Sequence, residues 1–175
     1  MRKFIFCLVS FALAASLIPA LPANPSSLTL QDLSRMVRTP DEIAHFMWRN
    51  FRFENDRTQF GREEYWQSPE EMLASRKGDC EDFALFAHRL LKKNGIPSFL
   101  LNIYSDQKAH TVCVFKGTTG YNAIDGTDVA RLDSRKLNQL IFEINPFWKK
   151  AAIVAPAAGH QAKILKELER VSPKP

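Results

Sequence analysis

The sequence predicts an α+β fold with one central helix packed on an antiparallel meander. Three observations carry this expectation: a capped and strongly apolar helical stretch over 80–93, three short strand patterns behind it, and turn-rich links joining those strands as neighbours.

Along the 175 residues, Met1-Arg2-Lys3 is followed by an apolar run over 4–21 and the small-residue segment Ala20-Leu21-Pro22-Ala23. This reads as a secretory signal peptide over 1–23 and is set aside from the fold. Cleavage after Ala23 leaves Leu21 where a small residue is preferred, so retention as a membrane anchor is the alternative reading. The roughly 150 residues that follow suit one domain with a normal core.

A helical segment is predicted over 28–37. A second opens at Thr39-Pro40-Asp41-Glu42, where a cap residue, a proline at the first helical position and a reciprocal glutamate stand together. Ile43, Phe46, Met47 and Phe51 repeat at helical spacing and read as core, with His45 at the surface. The polar stretch 53–62 reads as a loop. Ser68-Pro69-Glu70-Glu71 repeats the start signal for a short helix through Leu73, stopped by Gly78. In 80–93 the residues Phe83, Phe86, Ala87, Leu90 and Leu91 form a wide apolar face, and Gly95-Ile96-Pro97 ends it. Strands are expected over 98–104, 109–115 and 121–125. Beyond them, Asn145-Pro146-Phe147-Trp148 resembles an aromatic turn and 151–159 a connector. The segment 160–171 reads as an amphipathic helix with Ile164, Leu165 and Leu168 on one side and His160 at the surface.

Charge narrows the function classes. Without Arg2 and Lys3, the 24 basic residues become about 22 against 19 acidic ones, a net of about +3, and the remaining basic residues are scattered. No phosphate-binding stripe or aromatic stacking platform is present, so nucleic acid is not an expected partner. Cys7 lies in the signal, which leaves Cys80 and Cys113 in the mature chain. One structural disulfide is the plain expectation in an oxidising compartment. Against it, Cys80 sits at a helix start, while Cys113 has the opposite strand parity from His110.

The chemistry centres on Arg76-Lys77-Gly78-Asp79-Cys80-Glu81-Asp82-Phe83-Ala84. Unpaired N–H groups and the positive end of a helix dipole favour a thiolate at Cys80. His110 and Asp125 follow in the next two predicted elements, completing a Cys-His-Asp set in a plausible order. A hairpin centred near Thr118 pairs position 110 with 126 and places Asp125 beside His110; a register shift leaves Asn122 or Asp128 as substitutes.

These residues, with Leu90-Leu91, Gly95-Ile96-Pro97, Ala109-His110-Thr111-Val112 and Ile124-Asp125-Gly126, resemble the transglutaminase-like superfamily, most closely its bacterial cysteine proteinases. The resemblance spans about 66–126. It implies a papain/transglutaminase-like fold; the flanks 28–60 and 129–175 match nothing in that family, and the domain division into a catalytic domain over 24–150 with a connector and C-terminal amphipathic helix over 151–175 is read from residue patterning. The resemblance also implies Cys80 as nucleophile, His110 as proton carrier and Asp125 as the group orienting it. The Cys80 backbone N–H would serve the oxyanion, with Trp66 as a candidate indole donor; simple core packing of Trp66 is the alternative.

Three carboxylates complicate that picture. A charge ~7 Å from a thiolate at an effective dielectric of ~20 costs about 2.4 kcal/mol. A helix N-terminus returns at most ~2 kcal/mol. Either Asp79, Glu81 and Asp82 project away from Cys80 around the helix, or they hold a cation. Calcium suits hard carboxylate oxygens, and the resemblance extends to calcium-dependent enzymes, but three side chains underfill the roughly six to eight oxygens it prefers. The chemistry itself requires no cofactor. The expected activity is hydrolysis of a protein or peptide substrate through a thioester. Transglutamination and a non-catalytic peptide-binding module are the alternatives. Phe53, Tyr65, Trp66 and Tyr104 are candidates to line a cleft or simply to pack.

Overall fold

The computed structural model describes residues 28–106 and 109–170; the expected signal segment over 1–23 lies outside them. The chain begins with α1 (Leu30–Met36), α2 (Pro40–Asn50), the short β1 (Arg52–Phe53), α3 (Asp56–Phe60), α4 (Pro69–Ser75) and β2 (Lys77–Gly78). Thr39 and Ser68 each accept from the backbone N–H three residues on, while Glu42 and Glu71 reach back to close two capping boxes. Both start signals therefore act as the sequence predicts, because each satisfies two donors that a helix start leaves orphaned.

Next come α5 (Cys80–Lys93), β3 (Ser98–Tyr104), β4 (Ala109–Lys116), β5 (Tyr121–Asp125) and β6 (Asp128–Ser134). The chain ends in α6 (Leu137–Ile144), β7 (Lys150–Ala157) and β8 (Gln161–Glu169). β3 to β8 form one antiparallel sheet in the order β6-β5-β4-β3-β7-β8, and β1 pairs in parallel with β2 beside it.

The sheet separates two cores. On one face, α5 presents Phe83, Phe86, Leu90 and Leu91 to Leu100, Cys113 and Ile124, with α1 and α2 packed behind it. On the other, Leu140, Ile141 and Trp148 cover Leu101, Val112 and Ala123. Phe86 is fully buried, in edge contact with Phe51 at 4.8 Å between centroids and stacked with Phe46 at 6.3 Å. Among the described residues, no helix is long and apolar enough to cross a membrane.

Two expectations are corrected. Part of the stretch read as a loop over 53–62 forms α3, started by the Asn55 side chain accepting from Thr58 N at 2.9 Å. More consequentially, where a connector and helix are expected over 151–175, the described residues form the β7–β8 hairpin, which ends at Glu169, and β7 is a strand of the central sheet paired with β3. The domain therefore continues to at least residue 169. The helical reading fails because β8 is an edge strand with Ile164 and Leu165 both largely exposed, so no inward-facing alternation marks it. Its conformation is set by pairing with β7 across a turn in which Gly159 and His160 both have positive φ.

Truncating Phe86 to alanine should leave a cavity beneath α5 and cost about 3–5 kcal/mol. Urea unfolding followed by circular dichroism checks this; a loss below about 1 kcal/mol would mean that the core closes over the gap.

Candidate active site

Cys80 is the first residue of α5, half-buried, with Asp79 as the N-cap. A cavity of ≈ 430 Å³ opens beside it, and Cys80, His110 and Asp125 all line that cavity, together with Trp48, Phe51 and Phe83. His110 Nε2 meets Asp125 Oδ1 at 2.7 Å. The ladder between β4 and β5 pairs Cys113 with Ile124, one residue away from the expected register. Extending it sets Val112 opposite Asp125, so His110 and Asp125 are diagonal neighbours on one face; the expected register would have put them on opposite faces.

Asp125 ends β5, and the two-residue link Gly126-Thr127 follows, with Gly126 at φ 57°. That turn keeps Asp125 at the strand end, where its carboxylate reaches across the sheet. Asn122 serves the backbone instead, since its Oδ1 accepts from the N–H groups of Leu132 (2.8 Å) and Asp133 (2.9 Å) and so shapes the β5–β6 pairing. Asp128 lies on the cavity rim. The hydrogen bond that His110 donates to Asp125 raises the His110 pKa, against the opposing effect of burial.

The thiol is in the reverse situation. Burial holds the Cys80 pKa well above the usual thiol range; the charge of Glu81 adds to the effect, and the Thr111 backbone acts against it. Cys80 Sγ donates to Glu81 Oε2 at 3.1 Å. The expectation that the flanking carboxylates project away from the sulfur is thus corrected for Glu81, whose long side chain folds back over its neighbour. Cys80 and Cys113 are both free thiols; Cys113 is fully buried in the α5-side core.

The carboxylates form a dehydrated cluster. Glu81 and Asp82 are buried, and Asp56 from α3 joins them. Potential ligand oxygens of Asp56, Asp79 and Asp82 lie within 4.8 Å of one another, as do ligand atoms of Asp79, Cys80 and Glu81. Asp82 is held by Gln67, whose backbone N–H donates to Oδ1 at 2.8 Å and whose Nε2 donates to Oδ2 at 2.5 Å. Asp79 N also donates to Asp82 Oδ2, at 3.3 Å. Asp56 Oδ2 accepts from Tyr65 N, whereas Asp56 Oδ1 and Asp79 Oδ1 are buried with no hydrogen-bond partner. Burial raises Asp56 to about 6 and Asp82 to about 7, with the Asp79 charge adding to each. The Asp79 and Glu81 acids are raised as well, again chiefly by burial.

Of the residues singled out in the sequence, the fold brings Cys80, His110 and Asp125 to one cavity and Asp79, Glu81 and Asp82 to the helix start beside it. Trp66 is not among them. Its indole N–H donates to Glu64 Oε1 at 2.9 Å, and it lines a separate cavity with Leu85, Pro156 and His160. Tyr65 stacks on the His160 ring at 4.1 Å, away from the thiol. Phe53 does line the cleft. Asp56 lies in a polar stretch without periodicity and Gln67 between an aromatic pair and a helix start, so neither carries a local signal of its role; the Asn55-Asp56 helix start is the one cue near Asp56.

A family model described as bacterial transglutaminase-like cysteine proteinase matches residues 23–132, from before α1 through most of β6. Among solved structures, calcium-bound LapG of Legionella pneumophila is similar, with a TM-score of 0.50 and 20% identity over 82% of this chain and 77% of that one. EGTA-treated Legionella pneumophila LapG is similar with a TM-score of 0.44 and 17% identity, over 78% of this chain and 88% of that one. At these identities the likeness is one of fold. No curated protein matches the chain.

The raised carboxyl groups give a signed pH dependence. Their folded pKa values exceed their unfolded ones, so stability present at low pH is lost as pH rises through about 6 and about 7. In chelator, the thermal midpoint should fall from about pH 5 to about pH 8, and Asp56→Asn should flatten that slope. A midpoint that climbs over this window would contradict the assignment.

Proposed function

The chain belongs to the bacterial transglutaminase-like cysteine proteinases and is a cysteine peptidase of that type, and on this footing we propose that it cleaves peptide bonds through Cys80, His110 and Asp125. The observation that carries the reading is the 2.7 Å contact between His110 and Asp125 in the cavity that also holds the Cys80 thiol.

The thiol turns from Glu81 to His110, which accepts its proton as the sulfur attacks the substrate carbonyl carbon. Asp125 orients the imidazole and favours its charged form. The developing oxyanion falls to the Cys80 backbone N–H, one of the donors left unpaired at a helix start. Collapse of the tetrahedral intermediate breaks the C–N bond, and His110 protonates the departing amine. The remaining thioester is hydrolysed when His110 takes a proton from water, and the thiol is regenerated.

The acidic cluster fits a hard cation. Two buried carboxylate oxygens, on Asp56 and Asp79, have no partner, and a dehydrated set of like charges is costly unless neutralised. Asp56, Asp79 and Asp82, with Glu81 alongside, would hold calcium, the ion named for the similar Legionella pneumophila LapG. Bound there, calcium would offset the negative charge that now disfavours the thiolate. The arginine- and lysine-led apolar leader over 1–23 supports export, with a protein or peptide as substrate.

Cys80→Ala should abolish cleavage of a casein or peptide substrate, and His110→Ala should lower kcat by about 10³-fold or more while protein folding is retained. Incorporation of a primary amine without any cleavage would overturn the peptidase reading. Iodoacetamide should label Cys80 far faster than Cys113, and faster with calcium than in chelator. Calorimetry should show calcium binding that Asp56→Asn weakens by about 10-fold or more; no heat and unchanged labelling would remove calcium from the proposal.

A further inference from the structure

Resting on the peptidase reading, we infer that the substrate is an extended peptide with an apolar side chain near the scissile bond and acidic side chains on one flank, held in a cleft that crosses Trp48. The apolar part follows from the walls of the Cys80 cavity. Phe51 and Phe83 form its floor, and Trp48 and Phe53 stand at its mouth 66% and 70% exposed. The buried stripe of α2 is Ile43, Ala44, Phe46 and Met47, so Trp48 projects to the side that α2 does not pack. Two large aromatic side chains held in water beside a nucleophile are costly for a free surface and suited to covering a substrate side chain.

The acidic part follows from the adjoining cavity. It measures ≈ 540 Å³ and shares the Trp48 and Phe51 walls. Arg49, Arg52, Arg76 and Lys77 line it, and among the described residues no carboxylate does. Arg49 lies in the last turn of α2, where a cation offsets the helix dipole. That account does not extend to Arg52 and Lys77, which are direct partners in the β1–β2 ladder. Like charges set opposite each other destabilise a pair of strands. Glu54 relieves part of this by accepting from Lys77 Nζ at 3.0 Å, but an anionic chain lying in the trough would relieve it further. On the other side of Trp48, a third cavity of ≈ 510 Å³ carries Asp128 and Asp41, the latter paired with Arg131. The basic charge of the cleft therefore gathers on one side of Trp48, which sets the direction of a bound peptide.

The test uses the full mature chain with calcium. Fluorescein-labelled peptides bearing Leu with Glu-Glu on its N-terminal or C-terminal side are titrated onto the Cys80→Ala protein by anisotropy, against versions with Lys-Lys or with Ser in place of Leu. One Glu-Glu peptide should bind at least about 10-fold more tightly than its Lys-Lys counterpart, with an advantage that shrinks as salt rises. Arg49→Ser with Arg52→Ser should erase most of that ratio, and Arg52→Ser alone should weaken it without lowering the thermal midpoint, since its like-charge contact with Lys77 is removed. Trp48→Ala should lower the preference for Leu over Ser. Equal binding of Glu-Glu and Lys-Lys peptides, or no binding by either, would overturn the cleft assignment. Biased binding without any cleavage by the wild type would leave the cleft standing and overturn the peptidase reading instead.

Discussion

The structure turns on one constraint: α5 must be dry along its apolar face, yet its start carries the Cys80 thiol and three carboxylates. Leu90, Leu91 and Phe86 are fully buried, so the helix cannot roll to expose Asp82 without opening the core. Its acidic end is accommodated instead by fixed donors, chiefly the Gln67 backbone and side-chain amide. Gly78 belongs to the same solution. A Cβ there would stand 2.6 Å from Asp82 Cβ and Oδ2, so only glycine lets β2 pass this close to the helix.

The end of the chain contributes to that arrangement from a distance. The turn between β7 and β8 docks on the segment carrying Tyr65 and Gln67: Trp66 N donates to the His160 carbonyl at 3.0 Å, and the His160 ring stacks on Tyr65. Tyr65 N and Gln67 in turn hold Asp56 and Asp82. A strand pair at one edge of the sheet thus restrains the backbone that orders the acidic cluster, although none of its residues lines the Cys80 cavity.

Burial favours the neutral form in both halves of the site, and at His110 a hydrogen bond outweighs it. It raises the Cys80 thiol and the carboxyls around it, favouring neutral forms, whereas Asp125 keeps His110 ready to carry a proton. A low-dielectric cleft strengthens every charge interaction within it, so Glu81, and less strongly Asp79, weighs on the sulfur. The same cleft is walled by Phe51, Phe83 and Trp48.

Much of this was legible locally. The starts of α2 and α4, the whole of α5 and the spans of β3 to β5 follow from caps, periodicity and turn residues, and the ordered set Cys80, His110, Asp125 follows from their sequence positions. Those features depend on contacts within a few residues, which the order of side chains determines by itself. The tertiary structure decided the rest: the one-residue register that puts His110 and Asp125 on the same face, the recruitment of Asp56, the diversion of the Trp66 indole to Glu64, and the strand identity of 161–169. Each of these is settled by a partner outside the local pattern, through ladder pairing or shared burial, and a residue's own neighbours in sequence carry no record of which distant groups will be dehydrated beside it.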